Sequence, residues 1–285
     1  MSPNNRNTPK DKVLLGKSLS KLEKIFTDLG SNTQPFEIWI EDLLDSPFWV
    51  NKNSDLTTIK DICISVAKEQ DFMFSGTTEP KYHNRNHFKD VCCSMTELLQ
   101  AQNDILPPLD GLSPWQISDH DSLILLLCAI CHDLGHDGTT NKYPFELEKK
   151  SIGLVQEHLE STSLSLFERK EIINTIEPII LATDPKYLPT LLDKFNSEKN
   201  IVHSDCVSML MVEADLLASA LPKKGEILGQ RLSEEWQLTN PEAATSVKTK
   251  KGRLQFLQHI RFISPQAQAL GIEDIRKISI DQVKE

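Results

Sequence analysis

The chain has 285 residues, enough to bury a substantial core as one large domain or two small ones. Its 41 acidic residues outnumber the 31 basic ones, and the formal net charge of −10 argues against DNA or RNA as a partner. The apolar run 123–130 is shorter than the about 20 residues that cross a bilayer, so we expect no membrane association. Six cysteines without a preceding secretory signal predict reduced thiols and a cytoplasmic protein.

Apolar residues recur at three- and four-residue intervals along most of the chain, which predicts helices. No stretch alternates apolar and polar residues for long enough to predict a strand, so we expect an all-α fold, a single compact multi-helix bundle. Residues 1–12 are polar and are expected to form a disordered tail, and the polar segment 238–251 is expected to be a mobile loop. The bundle is predicted to span 13–272, with 13–55 as its N-terminal helical part and 273–285 as a C-terminal helix or tail.

The first candidate functional stretch is 82–91, with the sequence Tyr-His-Asn-Arg-Asn-His-Phe-Lys-Asp-Val. If this stretch is helical, His83, His87 and Asp90 fall at positions i, i+4 and i+7 and project from one face. Two imidazoles and a carboxylate on one face resemble a set of metal ligands. The alternative is that both histidines are ordinary exposed helix residues.

The second stretch begins where an apolar run, 123–131, leads directly into His132 and Asp133. A helix of that composition is expected to be buried on all sides, and a buried carboxylate needs a strong partner. A metal ion is the simplest partner for an adjacent histidine and aspartate. A satisfied core histidine is the alternative reading of His132.

Cys128 and Cys131 form a C-x-x-C pattern inside this apolar run. The pattern is compatible with zinc or redox chemistry, but no matching second pair exists in the sequence. Free cysteine is among the most buried residue types, so we interpret both as small core residues.

Asp215 lies on a helix with an otherwise apolar surface, and we predict that it joins His87, His132 and Asp133 around one metal ion. Asp133 has a second carboxylate oxygen that could bridge to a second metal ion. Two ions about 3.5–4 Å apart would activate a shared water and clamp a phosphoryl group, which predicts phosphodiester hydrolysis. His83 could donate the proton that a leaving alkoxide needs.

Several spaced motifs together resemble the class I cyclic nucleotide phosphodiesterases, helical metallohydrolases of the HD superfamily. The resemblance extends from about residue 59 to residue 270. The motifs are Tyr82-His83-Asn84 with His87, Asp90 and Val91; His132-Asp133 with His136, Gly138 and Asn141; Leu181-Ala182-Thr183-Asp184; and Glu213-Ala214-Asp215-Leu216.

The resemblance implies hydrolysis of a 3′,5′-cyclic nucleotide to the 5′-nucleoside monophosphate by a hydroxide that bridges the two metals. It implies that His83 is the general acid, that Glu148 orients it, and that His136 lies near the second metal through water. It implies zinc as the tightly held ion and magnesium as the second. Manganese or iron are alternatives, because four protein ligands and a water exceed the tetrahedral shell of structural zinc. Substrate-binding residues on this basis are Tyr82, Asn141 and Thr183.

The part of the pattern that recognises the base departs from the family. Phe256 matches the aromatic residue that stacks on the purine, although plain core packing is the alternative. Arg253 stands where the family has a glutamine, and Ser219-Ala220-Leu221 replaces an Asn-Pro pair. An arginine can only donate, so it suits guanine or a second phosphate better than adenine. Alternatively, Arg253 is a surface residue and Gln255 faces the pocket.

Two other functions remain open at this stage. The first is an HD-type phosphohydrolase for another small phosphate ester, such as a nucleoside monophosphate, a linear diester or a cyclic dinucleotide; the Gly-Tyr-Pro motif of the cyclic-diguanylate branch is absent from the sequence. The second is a non-catalytic ligand sensor, which the intact ligand set and His83 disfavour. The expected partner is a small phosphodiester, and the sequence leaves a homodimer open.

Overall fold

The computed structural model describes residues 9–52, 56–105, 109–197 and 201–285. Within these residues the chain forms fifteen α-helices and a short 3-10 helix, Gln102–Asp104, and no β-strand, which confirms the predicted all-α fold. The helices are α1 Pro9–Gly30, α2 Phe36–Leu44, α3 Pro47–Val50, α4 Thr57–Phe74, α5 Arg85–Ala101, α6 Asp119–Cys131, α7 Glu146–Glu160, α8 Leu166–Leu181, α9 Leu188–Asn196, α10 His203–Ala220, α11 Pro222–Trp236, α12 Pro241–Lys248, α13 Lys250–His259, α14 Pro265–Leu270 and α15 Ile272–Lys284.

Helix α6 lies at the centre of the bundle and carries the apolar run. Every residue from Ser122 to Cys131 is buried, and α4, α5, α8 and α10 pack around this helix. A capping box between Ser118 and Asp121 fixes the residue at which α6 begins. The buried helix then places His132 and Asp133 directly after its last turn. Each buried leucine contributes about 1.5–3 kcal/mol, which makes α6 the main anchor of the fold.

Helix α5 begins later than the spacing of its histidines predicted. Asn84 caps it by accepting hydrogen bonds from the N–H groups of Asn86 and His87, so the first helical residue is Arg85. His83 therefore precedes the helix, and the proposed i, i+4, i+7 face is wrong. Asp90 is buried and bonded to the ammonium of Lys224 at 2.7 Å, so it does not serve as a metal ligand.

Two expectations about flexible segments need correction. The polar segment 238–251 is not a loop, because Asn240 caps α12, Pro241 occupies its first turn, and α13 begins at Lys250. Of the expected tail, residues 1–8 lie outside the described residues, but helix α1 already begins at Pro9.

The cysteines are unpaired in the described part of the chain, and Cys128 and Cys131 are fully buried. Burial raises the pKa of both thiols, which agrees with their interpretation as core residues. Over the same described ranges, no helix is long and apolar enough to traverse a bilayer.

Candidate active site

Four side chains from three regions of the fold converge on one point. Nε2 of His87 on α5 lies 3.3 Å from Nε2 of His132, which ends α6. A carboxylate oxygen of Asp133 lies 3.5 and 3.0 Å from these two nitrogens, and one of Asp215 on α10 lies 3.4 and 3.6 Å from them. The structure thus brings together all four residues that the sequence analysis assigned to the tight metal.

These distances fit a metal ion. Two ligands at about 2.1 Å from a metal are separated by about 3.0 Å at octahedral angles and about 3.4 Å at tetrahedral angles. The measured separations that involve an imidazole, from 3.0 to 3.6 Å, lie near that range, and neither a lysine nor an arginine is among the four. The ligand atoms of His87, His132 and Asp133 all lie within 4.8 Å of one another, and Asp215 joins them through its approach to the two imidazoles. Two imidazoles and two carboxylates are also a suitable donor set for zinc and its neighbours.

The electrostatics of the cluster favour a positive charge at its centre. Burial works against a charged imidazole, yet Asp133 and Asp215 raise the pKa of His132 well above its usual value. Burial likewise works against an ionised Asp133, but His132, His87 and His83 hold the pKa of that carboxyl well below its usual value. Nδ1 of His132 faces the carbonyl of Ala129 at 3.2 Å, which leaves Nε2 available as a ligand.

His83 lies beside this cluster and is held by a glutamate that the sequence analysis missed. One oxygen of Glu235, on α11, makes a short hydrogen bond to Nδ1 of His83; the other accepts the backbone N–H groups of Tyr82 and His83 at 2.6 and 3.0 Å. Nε2 of His83 lies 3.8 Å from Asp133. Burial opposes protonation, but Glu235 and Asp133 together raise the pKa of His83.

His136 stacks on His83, with ring centroids 3.6 Å apart and an angle of 21° between the planes. Gly135, at φ +70, makes the tight turn that returns the chain to this position. Burial and the neighbouring His83 lower the pKa of His136 to about 4, so His136 is neutral at physiological pH. Its Nδ1 accepts the N–H of Gly138 at 3.0 Å, which leaves Nε2 as a donor.

Glu148 does not orient His83, contrary to expectation, because Glu235 occupies that role. Instead, the buried Glu148 accepts both amide hydrogen bonds of Asn141, at 2.9 and 3.2 Å. Burial raises the pKa of Glu148, with further contributions from nearby carboxylates.

A cavity of about 310 Å³ opens over the cluster and contains most of the predicted site residues. Its polar wall includes Asn141, Glu148 and Thr183. Tyr82 does not line it; its ring packs against His83 and His87, and its hydroxyl lies 3.3 Å from that of Ser219. The lining is His83, His132, Asp133, His136, Thr139, Thr140, Asn141, Leu147, Glu148, Thr183, Asp184, Pro185, Lys186, Asp215, Trp236 and Asn240.

The 3′,5′-cyclic nucleotide phosphodiesterase family matches residues 82–167, the segment that carries His83, His87, His132, Asp133 and His136. The resemblance is confirmed. No curated protein matches the chain by sequence.

Solved structures share the fold. The phosphodiesterase domain of a rhodopsin phosphodiesterase from Salpingoeca rosetta has 18% identity and a TM-score of 0.59; the match covers 86% of this chain and 93% of that one. The structure of LmjPDEB1 in complex with IBMX has 13% identity and a TM-score of 0.60, over 98% of this chain and 88% of that one. The fold is therefore that of phosphodiesterase catalytic domains.

Arg253 and Phe256 do not line this cavity. The guanidinium of Arg253 donates to the carbonyls of Ser219 and Leu221 at 2.6 and 3.0 Å, and its carbon lies 5.6 Å from the ring centre of Phe256. Gly225 permits this approach, since a Cβ there would lie 2.2 Å from the guanidinium. Burial lowers the pKa of Arg253 to about 10. Arg253 therefore joins α10 to α13, and its role in base recognition stays a prediction.

Glu235 carried no signal that sequence reasoning could use. It lies 152 residues beyond His83, next to another glutamate on an amphipathic helix. Only the packing of α11 against the turn at Tyr82 distinguishes it from the exposed Glu234.

Proposed function

We propose that this chain is a metal-dependent phosphodiesterase that hydrolyses a 3′,5′-cyclic nucleotide to the 5′-nucleoside monophosphate. The observation that carries the proposal is the approach of the Asp133 and Asp215 carboxylates to the imidazoles of His87 and His132 at 3.0–3.6 Å, with His83 beside them at the same cavity. A sensor would need neither the ligand cluster nor a histidine with a dedicated carboxylate.

The four converging residues would hold the tight metal ion, with zinc as the first candidate and manganese or iron(II) as alternatives. A second ion, with magnesium as the first candidate, would share Asp133. Bound there, the metals would supply an activated water and neutralise charge on the phosphoryl group. His136, Asn141 and Glu148 face the same cavity and would orient water and phosphate oxygens around the second ion.

His83 would supply the proton that the reaction needs. Attack of water on phosphorus forms one P–O bond and breaks the bond to O3′, whose alkoxide must be protonated. Glu235 fixes Nδ1 of His83 and leaves Nε2 directed toward Asp133 and the cavity. Burial opposes the charged form, but the hydrogen bond to Glu235 and the charge of Asp133 raise the pKa of His83, which favours an imidazolium that would donate that proton from Nε2.

A second candidate is hydrolysis of another small phosphate ester, such as a cyclic dinucleotide or a nucleotide, on the same centre. The observation that favours it is that Phe256 and Arg253, the two residues expected to bind a purine, do not line the cavity. A preference for guanine-bearing or doubly phosphorylated substrates, a cytoplasmic location and a homodimer also stay proposals.

Metal analysis of the purified protein, followed by a turnover screen, tests the proposal. The screen uses cyclic AMP, cyclic GMP, a cyclic dinucleotide and bis(4-nitrophenyl) phosphate, each with added Mg²⁺, Mn²⁺ or Zn²⁺. We expect tight metal and release of 5′-monophosphate from a cyclic mononucleotide. Turnover of the dinucleotide alone would favour the second candidate, and a metal-loaded protein that turns over none of the substrates would refute both.

A further inference from the structure

One residue in the turn before α7 has a backbone conformation that its side chain disfavours. Phe145 adopts φ 63 and ψ 23, and in the described residues it is the one non-glycine with a positive φ. It stands immediately before α7 and makes no side-chain capping bond. A bulky residue in this region costs about 1–2 kcal/mol, and such outliers cluster at functional sites.

Asp184 holds Phe145 in this conformation. The Asp184 side chain, which is almost fully buried, accepts the N–H of Phe145 at 2.9 Å through one oxygen and the N–H of Lys186 at 2.9 Å through the other. The ring of Phe145 also packs against Tyr187, with centroids 5.7 Å apart. The turn after α8 thus fixes the turn before α7, about 40 residues earlier in the chain.

The turn that Phe145 closes carries two residues of the cavity wall. Asn141 accepts the N–H of Leu147 at 2.8 Å through its side chain and donates to Glu148 at 2.9 Å. The backbone carbonyl of Asn141 also receives the ammonium of Lys186 at 3.5 Å. Hydrogen bonds therefore hold residues 141–148 at two points, Asn141 and Phe145.

We propose that Asp184 is a positioning residue, which keeps residues 141–148 in a strained conformation so that Asn141 and Glu148 face the metal cluster. Both oxygens of Asp184 bond to backbone N–H groups, so its main interactions are with the turn although it borders the cavity. The functional part of this inference rests on the proposed phosphodiesterase activity. The clamp, by which we mean the two hydrogen bonds from the N–H groups of Phe145 and Lys186 to Asp184, does not depend on that activity.

Amide hydrogen exchange tests the clamp without any assay of activity. In Asp184→Asn, one carboxylate oxygen becomes an amide nitrogen, so one of the two backbone N–H groups loses its acceptor. We expect the amide that loses its acceptor, that of Phe145 or that of Lys186, to exchange at least about tenfold faster than in the wild type. The matched control is Asp205→Asn, because Asp205 is a partly buried aspartate whose partner, Lys194 on α9 at 2.6 Å, lies away from this turn. Unchanged exchange in Asp184→Asn would overturn the proposal.

A pair of substitutions at residue 145 tests the strain. Phe145→Ala and Phe145→Gly both remove the ring, but only glycine adopts a positive φ without cost. We expect the glycine variant to melt above the alanine variant by on the order of 2 °C. In the Asp184→Asn background that difference should shrink, because the turn is then free to relax. An equal difference in both backgrounds would show that Asp184 does not impose the conformation.

Turnover measured at known metal content tests the positioning role. For Asp184→Asn we expect kcat/KM for bis(4-nitrophenyl) phosphate to fall about tenfold or more, with metal content at the wild-type level and a melting midpoint well above the assay temperature. Wild-type turnover in a variant with fast exchange would show a clamp with no part in positioning. If the wild type itself were inactive, the proposed function would fail, while the exchange and melting results would still decide the clamp.

Discussion

Two neighbouring turns of helix α10 satisfy their polar groups in opposite ways. At Asp215, a carboxylate lies 3.4–3.6 Å from two imidazoles, and no lysine or arginine of the described residues pairs with it. One turn later, the carbonyl of Ser219 receives the guanidinium of Arg253 at 2.6 Å, and that group is complete. Carboxylates and imidazoles that meet at a cavity without a lysine or arginine indicate a place for a ligand, whereas a guanidinium bonded to two carbonyls indicates scaffold.

Asp215→Ala should therefore have the largest effect. Loss of an anionic ligand weakens the remaining metal shell, so we expect loss of tight metal and of phosphodiesterase activity. Metal content measured by mass spectrometry and turnover of the best substrate provide the test, with Asp205→Asn on the same helix as the control. A variant with full metal content and normal turnover would show that Asp215 is not a ligand.

His83→Ala should separate metal binding from proton donation. We expect metal content to stay at the wild-type level and turnover to fall by about 10²- to 10⁴-fold. Bis(4-nitrophenyl) phosphate should be affected much less, since nitrophenolate leaves without a proton. His259→Ala, at the end of α13, is the matched control. An equal loss on both substrates, or a loss of metal, would contradict the assignment.

Glu235→Gln should have a smaller effect, below about 10²-fold, because His83 remains in place. The effect of the substitution should appear in the pH dependence of kcat. The pKa of His83 is raised in the wild type, so the acid stays protonated to higher pH; without the carboxylate that pKa falls. The alkaline limb of kcat should therefore move to lower pH. The exposed neighbour serves as the control, since Glu234→Gln should leave the limb unmoved, and an unmoved limb in Glu235→Gln would remove Glu235 from the mechanism.

Arg253→Gln tests the second of the two turns of α10, where we interpret the bonded guanidinium as part of the scaffold. A glutamine cannot reproduce both bonds to the carbonyls of Ser219 and Leu221, so we expect the free energy of unfolding to fall by about 2 kcal/mol. Denaturant unfolding measures this loss, with Lys250→Gln as an exposed control on the same helix.

The position of Arg253 outside the cavity predicts that Arg253→Gln leaves the ratio of cyclic AMP to cyclic GMP specificity constants unchanged. A shift of that ratio toward adenine would instead support the base-reading role suggested by the sequence.

The sequence by itself determined the all-helical fold and pointed to the four residues that we propose as metal ligands. The fold followed from apolar periodicity, and α6 in particular could be read as buried because no polar residue interrupts 123–131. The ligands followed because few side chains can hold a transition metal, and His132-Asp133 at the end of a buried helix requires a partner. Both inferences use short-range information, which a single sequence contains.

Only the tertiary structure decided which groups support those ligands and which stand apart from them. Glu235 rather than Glu148 holds His83, Asp90 pairs with Lys224, and Asp184 fixes the turn at Phe145. Each of these contacts joins segments about 40 to 150 residues apart and depends on how one helix is rotated against another. Arg253 shows the same limit, because its guanidinium bonds to carbonyls at the end of α10 and does not line the cavity. Periodicity identifies the buried side of a helix, but the neighbours of each side chain depend on how the whole bundle packs.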